Sequence, residues 1–207
     1  VRGDFRTYSK AAAKAELGIP QDKPLIVSVW GSLGAARMNE IMADFITETH
    51  TTNDFCLIHS AGTDRYEEMV TRLKAECPGG YRQAGFDVRP YIYDMSRVMA
   101  AADLVLCRAG ASTLSELAMM GKPAVLVPSP NVTNNHQERN ARVLERAGGA
   151  IVLPEPGLTS ETMSQTVLGL IHDRKRLDLM ECAMRSYGVP DATERITDVV
   201  LGLAAKS

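Results

Sequence analysis

Short runs of apolar residues alternate with longer stretches of helical periodicity along the chain. The apolar runs predict buried strands at residues 25–30, 55–59, 88–92, 103–107, 123–127 and 150–153. The other stretches predict helices at residues 35–48, 64–76, 95–101, 113–120, 136–147, 159–172, 174–185 and 192–204. Because the strand-like runs lack polar and apolar alternation, we expect helices to cover both faces of the sheet.

The order of these elements predicts the fold class. Strands separated by helices of about 10 to 14 residues require right-handed crossovers and a parallel sheet. We therefore expect one doubly wound, Rossmann-like α/β domain. Ligands of such folds bind beyond the carboxyl ends of the strands, so the loops that follow strands are the first places to look for function.

Charge and aromatic content argue against a nucleic-acid-binding protein. The net charge is -2, and the chain has one Trp and four Phe, too few for a base-stacking platform.

The four cysteines lack metal-ligand spacing, so we expect free thiols and no metal site. They are Cys56, Cys77, Cys107 and Cys182. The apolar runs are far shorter than a membrane span, and no signal peptide is recognisable. The chain begins at Val1 without Met, which favours a fragment of a longer protein.

The first candidate loop is Gly31-Ser32-Leu33-Gly34, between the first strand and its helix. Its glycines permit a tight turn, and a helix start offers unpaired N–H groups to a phosphate or another polar ligand edge. A simple turn in which Ser32 caps the helix explains the loop equally well. The dinucleotide pattern G-x-G-x-x-G is absent, so NAD or FAD binding is not expected.

The second candidate loop runs from Arg108 to Thr113 and is followed by Glu116. Its small residues would let a diphosphate approach the N–H groups of residues 111–113, and a carboxylate at Glu116 could accept hydrogen bonds from both ribose hydroxyls. The competing explanation is a capping box, since Thr113 and Glu116 have the S/T-x-x-E spacing.

The third candidate loop contains Asn134, Asn135, His136 and Gln137. Uncharged amides and a histidine after a strand suit a hydroxyl-rich ligand, because they donate and accept hydrogen bonds without a fixed charge to desolvate. Asn134 and Gln137 could instead form a cap pair. A catalytic or metal-binding role for His136 has less support, since no acidic or Cys partner stands at ligand spacing.

These loops and their spacing resemble the carboxyl-terminal domain of the MurG family, bacterial transferases that add N-acetylglucosamine to undecaprenyl-pyrophosphoryl-MurNAc-pentapeptide. The resemblance covers nearly the whole chain. It rests on motifs in the same order: Val1-Arg2, GSLGAARMN at 31–39, YIYDM at 91–95, CRAGASTLSE at 107–116, TNNHQERNA at 133–141 and PDATER at 190–195.

The resemblance implies a two-domain GT-B glycosyltransferase in which residues 1–207 form the donor-binding domain and the amino-terminal acceptor domain lies outside this chain. It also implies how UDP-N-acetylglucosamine is held. Arg2 and Ser32 would contact the phosphates, the backbone of Tyr91 and Ile92 the uracil, Ala111, Ser112 and Thr113 the diphosphate, Glu116 the ribose, and His136 and Gln137 the sugar hydroxyls. Some family members carry Gln where His136 stands, which puts the role of that residue in doubt.

The same resemblance implies an enzyme of peptidoglycan synthesis, peripheral on the cytoplasmic face of the bacterial membrane, that needs no cofactor. We assign no catalytic residue to this chain, because the family's general base belongs to the acceptor domain, which also binds the lipid-linked acceptor. One alternative is a stand-alone donor-binding subunit of a split lipid-linked oligosaccharide transferase. A UDP-sugar epimerase is a third possibility, which the amide-rich loops disfavour.

Overall fold

The sheet organises the whole molecule. The structure is a computed structural model that describes residues 8–31 and 34–204. Within these residues six strands form one parallel sheet in the order β3-β2-β1-β4-β5-β6. Their bounds are Leu25–Val29 for β1, Cys56–Ser60 for β2, Phe86–Arg89 for β3, Leu104–Cys107 for β4, Ala124–Leu126 for β5 and Ala150–Val152 for β6.

Strand β1 is the point where the direction of winding changes. It pairs with β2 on one side, with Leu25 opposite Cys56, and with β4 on the other, with Ile26 opposite Leu104. The chain therefore leaves β1 and β4 in opposite directions, which opens a crevice above their carboxyl ends.

Helices cover both faces of the sheet, as the uniform apolar strands predict. Their bounds are Lys10–Glu16 for α1, Ala36–Thr49 for α2, Tyr66–Glu76 for α3, Met95–Ala101 for α4, Ala111–Met120 for α5, His136–Arg146 for α6, Ser160–Ile171 for α7, Arg174–Arg185 for α8 and Ala192–Ala204 for α9, with 3-10 turns at Tyr81–Ala84 and Thr133–Asn135. One core layer packs α2, α3 and α7 on the sheet, and the other packs α1, α4, α5 and α6.

One helix was missed and three local predictions are wrong. Helix α1 was not predicted, and β3 ends at Arg89, directly before Pro90, instead of at residue 92. Helix α3 starts at Tyr66 instead of residue 64, behind Arg65 and without a capping bond from a side chain. Helix α5 starts at Ala111, two residues earlier than expected.

Helix α9 differs from the other helices because it contains no buried residue. Its apolar side chains Ile196, Val199, Val200 and Leu201 are each more than half exposed. Among the described residues, each helix is too short or too polar to cross a bilayer.

Candidate functional site

A cleft of about 220 Å³ opens where the chain leaves the strands. Four of the predicted site residues meet in it, since Tyr91, Ile92, Thr113 and Gln137 all contribute to its wall. Val29, Gly31, Ser60, Met95, Cys107, Arg108 and Gly110 complete the lining. The cleft thus gathers the loops after β1, β2, β3 and β4 with the start of α6.

The loop after β1 is shaped by two glycines in the left-handed region. Gly31 has φ +99° and Gly34 has φ +74°. The N–H of Gly34 donates to the Gly31 carbonyl at 3.2 Å, which closes a tight turn beside the cleft. Arg2 and Ser32 lie outside the described residues, so their phosphate contacts remain predictions. The N-cap position of α2 is occupied by Ala35, so the alternative in which Ser32 caps this helix is wrong.

The loop after β4 turns directly into α5. Gly110 is the N-cap residue, and Thr113 is the third residue inside the helix. The capping box proposed for Thr113 and Glu116 is therefore wrong, because a residue inside the helix cannot serve as its N-cap. Ala111 and Ser112 are exposed, and a Cβ on Gly110 would meet no atom within 4 Å.

This helix start has the features of an anion site. The first N–H groups of a helix have no acceptor within it, and the helix dipole adds partial positive charge there. Glu116 is half-buried one turn further, on the same side of α5 as Ser112 and Thr113.

The loop before α6 contains two consecutive asparagines in the left-handed region, Asn134 with φ 56° and Asn135 with φ 51°. Gln137 Oε1 accepts a hydrogen bond from the N–H of Ser129 at 3.0 Å. The N-cap of α6 is Asn135, without a capping bond from its side chain, so the Asn134–Gln137 cap pair is wrong. His136 is exposed, with Nδ1 2.9 Å from the Thr133 carbonyl oxygen, and is not part of the cleft wall.

Tyr91 and Ile92 follow β3 and form another part of the wall. Ile92 is buried, whereas Tyr91 is 39% exposed and packs edge-on against Tyr93, with ring centroids 4.9 Å apart. The two residues thus place a stretch of backbone and one aromatic ring beside the cleft.

Arg108 is a member of the site that sequence reasoning quoted but gave no role. Its side chain is 18% exposed, ion-paired with Glu155, and stacked over Trp30 with 5.9 Å from Cζ to the ring centroid. A charged residue directly after a buried strand is the signal that could have singled it out.

A buried, neutral histidine stands in β2 next to Ser60 of the cleft wall. Burial lowers the pKa of His59 to about 3. Its Nδ1 is 3.0 Å from the Ser28 hydroxyl, which accepts a hydrogen bond from Trp30 Nε1 at 2.9 Å. Nε2, the other ring nitrogen, is buried without a hydrogen-bond partner among the described residues. Among the described residues, no group of three or more His, Cys, Asp or Glu side chains is placed to hold a metal ion.

The sheet and its cleft define a domain of the GT-B glycosyltransferase class. The chain belongs to glycosyltransferase family 28: the model of the family's C-terminal domain matches residues 25–196. This confirms the doubly wound fold and the family resemblance.

The relatives that match nearly the whole chain are glycosyltransferases as well. The chain is 40% identical, over 97% of its length, to the UDP-N-acetylglucosamine–N-acetylmuramyl-(pentapeptide) pyrophosphoryl-undecaprenol N-acetylglucosamine transferase of Acetivibrio thermocellus, and covers 53% of that protein. It is 38% identical to the transferase of the same name from Ruminiclostridium cellulolyticum, again over 97% of its length and 54% of the relative. The chain thus spans about half the length of the curated relatives it matches.

Solved structures share the fold. The crystal structure of Acinetobacter baumannii MurG matches 98% of this chain and 55% of its own, with a TM-score of 0.79 and 29% identity. WaaG, a glycosyltransferase of lipopolysaccharide biosynthesis, matches with a TM-score of 0.68 at 18% identity over 98% of this chain and 55% of its own. The likeness to WaaG shows the fold alone.

Proposed function

We propose that this chain is the donor-binding domain of an inverting transferase that moves N-acetylglucosamine from UDP-N-acetylglucosamine to undecaprenyl-pyrophosphoryl-MurNAc-pentapeptide. We assign the acceptor domain to the part of the relatives' length that this chain does not span. The observation that carries the proposal is the meeting of Tyr91, Ile92, Thr113 and Gln137 at one cleft beside the exposed start of α5.

Each part of the cleft suits one part of the donor. The backbone after β3 would recognise uracil, and the N–H groups of Ala111, Ser112 and Thr113 would hold the diphosphate, together with Arg2 and Ser32. Glu116 would accept hydrogen bonds from the ribose, and His136 and Gln137 would contact the sugar.

The chemistry divides between the two domains. Transfer needs a base to take the acceptor proton and positive charge to stabilise the departing UDP. The helix dipole of α5 supplies partial positive charge beside the diphosphate. We assign the base, the lipid-linked acceptor site and a peripheral contact with the cytoplasmic face of the membrane to the other half of the full-length protein. The 207-residue chain alone should therefore bind the donor without turning it over.

Titration calorimetry on the 207-residue chain tests the donor assignment. UDP should bind more tightly than GDP or dTDP, and UDP-N-acetylglucosamine should bind without release of free sugar. Equal binding of the three nucleotides, or binding of none, would reject the proposal. The alternative of a stand-alone subunit of a split transferase is not favoured, since the relatives matched over nearly the whole chain are named as undecaprenol-linked N-acetylglucosamine transferases.

A further inference from the structure

Arg108 joins loops that follow different strands. Its Nη1 donates to the carbonyl oxygens of Val127 at 3.2 Å and Pro128 at 3.4 Å, and to Glu155 Oε2 at 2.5 Å. The first two acceptors follow β5, and Glu155 follows β6. Because both charged side chains are mostly shielded from solvent, at 18% and 17% exposure, this ion pair is better fixed than a surface pair.

The contact with Pro128 continues to the donor site through one peptide unit. The carbonyl of that unit belongs to Pro128 and accepts from Arg108, while its N–H belongs to Ser129 and donates to Gln137 Oε1 at 3.0 Å. A peptide group is planar, so fixing its carbonyl also fixes the direction of its N–H. Arg108 thereby holds the group that orients Gln137.

The hydrogen bond from the Ser129 N–H determines which end of the Gln137 amide can contact a bound ligand. A backbone N–H must pair with the amide oxygen, so the orientation of the side chain is settled by its partner. The Nε2 hydrogens have no acceptor among the described residues, and Gln137 is part of the cleft wall. Gln137 therefore offers donors to oxygen atoms of a bound ligand, such as sugar hydroxyls or an N-acetyl carbonyl.

We propose that Arg108 is a positioning residue that acts through the Pro128–Ser129 peptide on Gln137 and so sets the preference of the site for the sugar part of its ligand. The proposal rests on the function proposed above. Without Arg108 the peptide can rotate, and the Gln137 amide can turn its oxygen instead of its hydrogens toward the sugar. The uridine diphosphate part, held by α5 and the loop after β3, should be nearly unaffected.

The first experiment needs no ligand. Hydrogen exchange of the Ser129 amide is measured by NMR in the wild-type chain, Arg108→Met and Gln137→Met. Both variants should accelerate this exchange roughly tenfold or more, whereas Arg142→Met, which removes an α6 arginine paired with Glu138 and Glu145, should not. Unchanged exchange in Arg108→Met would overturn the proposed link.

The second experiment measures the sugar increment, defined as the Kd of UDP divided by the Kd of UDP-N-acetylglucosamine. Arg108→Met should lower this ratio about fivefold to tenfold, the worth of one hydrogen bond, and change the Kd of UDP less than about twofold. The Arg108→Met/Gln137→Ala double variant should be no worse than Gln137→Ala alone, since both act on one contact. Additive losses, or equal losses for both ligands, would overturn the positioning role.

A substitute variant and the exchange rates distinguish failure of the Arg108 proposal from failure of the donor assignment. If Arg108→Met does not fold, judged by circular dichroism, Glu155→Gln takes its place and should lower the ratio in the same direction. If the wild-type chain binds neither ligand, the donor assignment and the sugar preference both fail, and the Ser129 exchange rates alone decide whether Arg108 orients Gln137.

Discussion

A Cβ atom built on Gly34 would lie 2.2 Å from the carbonyl oxygen of Ala61. The carbonyl cannot easily move away, because it accepts a hydrogen bond from Asn39 Nδ2 at 2.7 Å. The loop after β1 and the loop after β2 are therefore in backbone contact beside the cleft, and that contact requires glycine.

Gly34→Ala should lower the free energy of unfolding by about 2 to 4 kcal/mol, since the backbone at φ +74° disfavours a side chain and the methyl group overlaps the Ala61 carbonyl. The measurement is urea denaturation followed by circular dichroism. Gly31→Ala is the matched control: its φ is +99°, but no atom lies within 4 Å of the added Cβ. It should cost about 1 to 2 kcal/mol. Equal losses would show that the contact with Ala61 is unimportant.

Glu116→Ala should weaken UDP binding at least about tenfold, because a charged acceptor of the ribose hydroxyls is lost. The same substitution should matter less for 2′-deoxy-UDP, which lacks one of those hydroxyls. Calorimetry with both nucleotides gives the comparison. Ser115→Ala is the control on the same helix, because this exposed side chain donates a hydrogen bond back to the Ala111 carbonyl. A Glu116→Ala loss of the same size for both nucleotides would argue against ribose recognition.

The buried His59 makes the fold sensitive to mild acid. Its folded pKa of about 3 lies below the ordinary 6.5, so below pH 6.5 the unfolded chain takes up a proton that the folded chain does not. Stability should therefore fall as the pH drops from 6.5 toward 3. Between pH 7 and 5 this group should remove about 2 kcal/mol of unfolding free energy.

His59→Gln removes this titration and provides the test. Denaturation curves at pH 7 and pH 5 should show a smaller loss for the variant than for the wild type. The control is His172→Gln, the same substitution at an exposed histidine that lies near Asp54 at 3.7 Å. If His59→Gln lost as much unfolding free energy as the wild type between pH 7 and pH 5, the pH dependence would come from another group.

The sequence predicts the helices and strands well wherever apolar periodicity and a cap coincide. Helix α8 begins and ends as predicted, and Asp173 accepts from the N–H of Arg176 as its cap. Helix α1 was missed because its sequence KAAAKAE shows no apolar stripe, although Ser9 caps it. The start of α5 was misplaced because Gly110 caps the helix without a polar side chain, whereas Thr113 offered a familiar but false signal.

The sequence predicts which residues lie near the cleft, but not all of the contacts between them. Residues that follow strands could be located, because parallel topology brings strand ends together. The Arg108–Pro128 and Ser129–Gln137 contacts could not, since they join separate loops through a peptide group that any sequence possesses. A backbone N–H or carbonyl that takes part in such a contact leaves no trace in the type of the residue to which it belongs.

At the amino ends of the strands, opposite the cleft, the buried carboxylate of Asp103 joins several elements. Asp103 accepts hydrogen bonds from Lys10 and the N–H of Leu25, and its side chain is 3% exposed. Lys14, equally buried, lies 3.1 Å away, and Arg174 lies at the same distance. Although burial raises the pKa of Asp103, the bonds from Lys10 and Leu25 outweigh it and hold the pKa below the ordinary value.

Asp103→Asn should lower the free energy of unfolding by about 3 to 5 kcal/mol, because the buried Lys14 ammonium loses its counter-charge while the Leu25 N–H keeps an acceptor. Asp178→Asn is the matched control, since Asp178 pairs with the same Arg174 at 2.8 Å but is 55% exposed, and it should cost less than about 1 kcal/mol. Urea denaturation at pH 7 measures both. Similar costs for the two variants would mean that burial of the Asp103 cluster contributes little, and that the sheet is held at this end by packing of α1 and α4 alone.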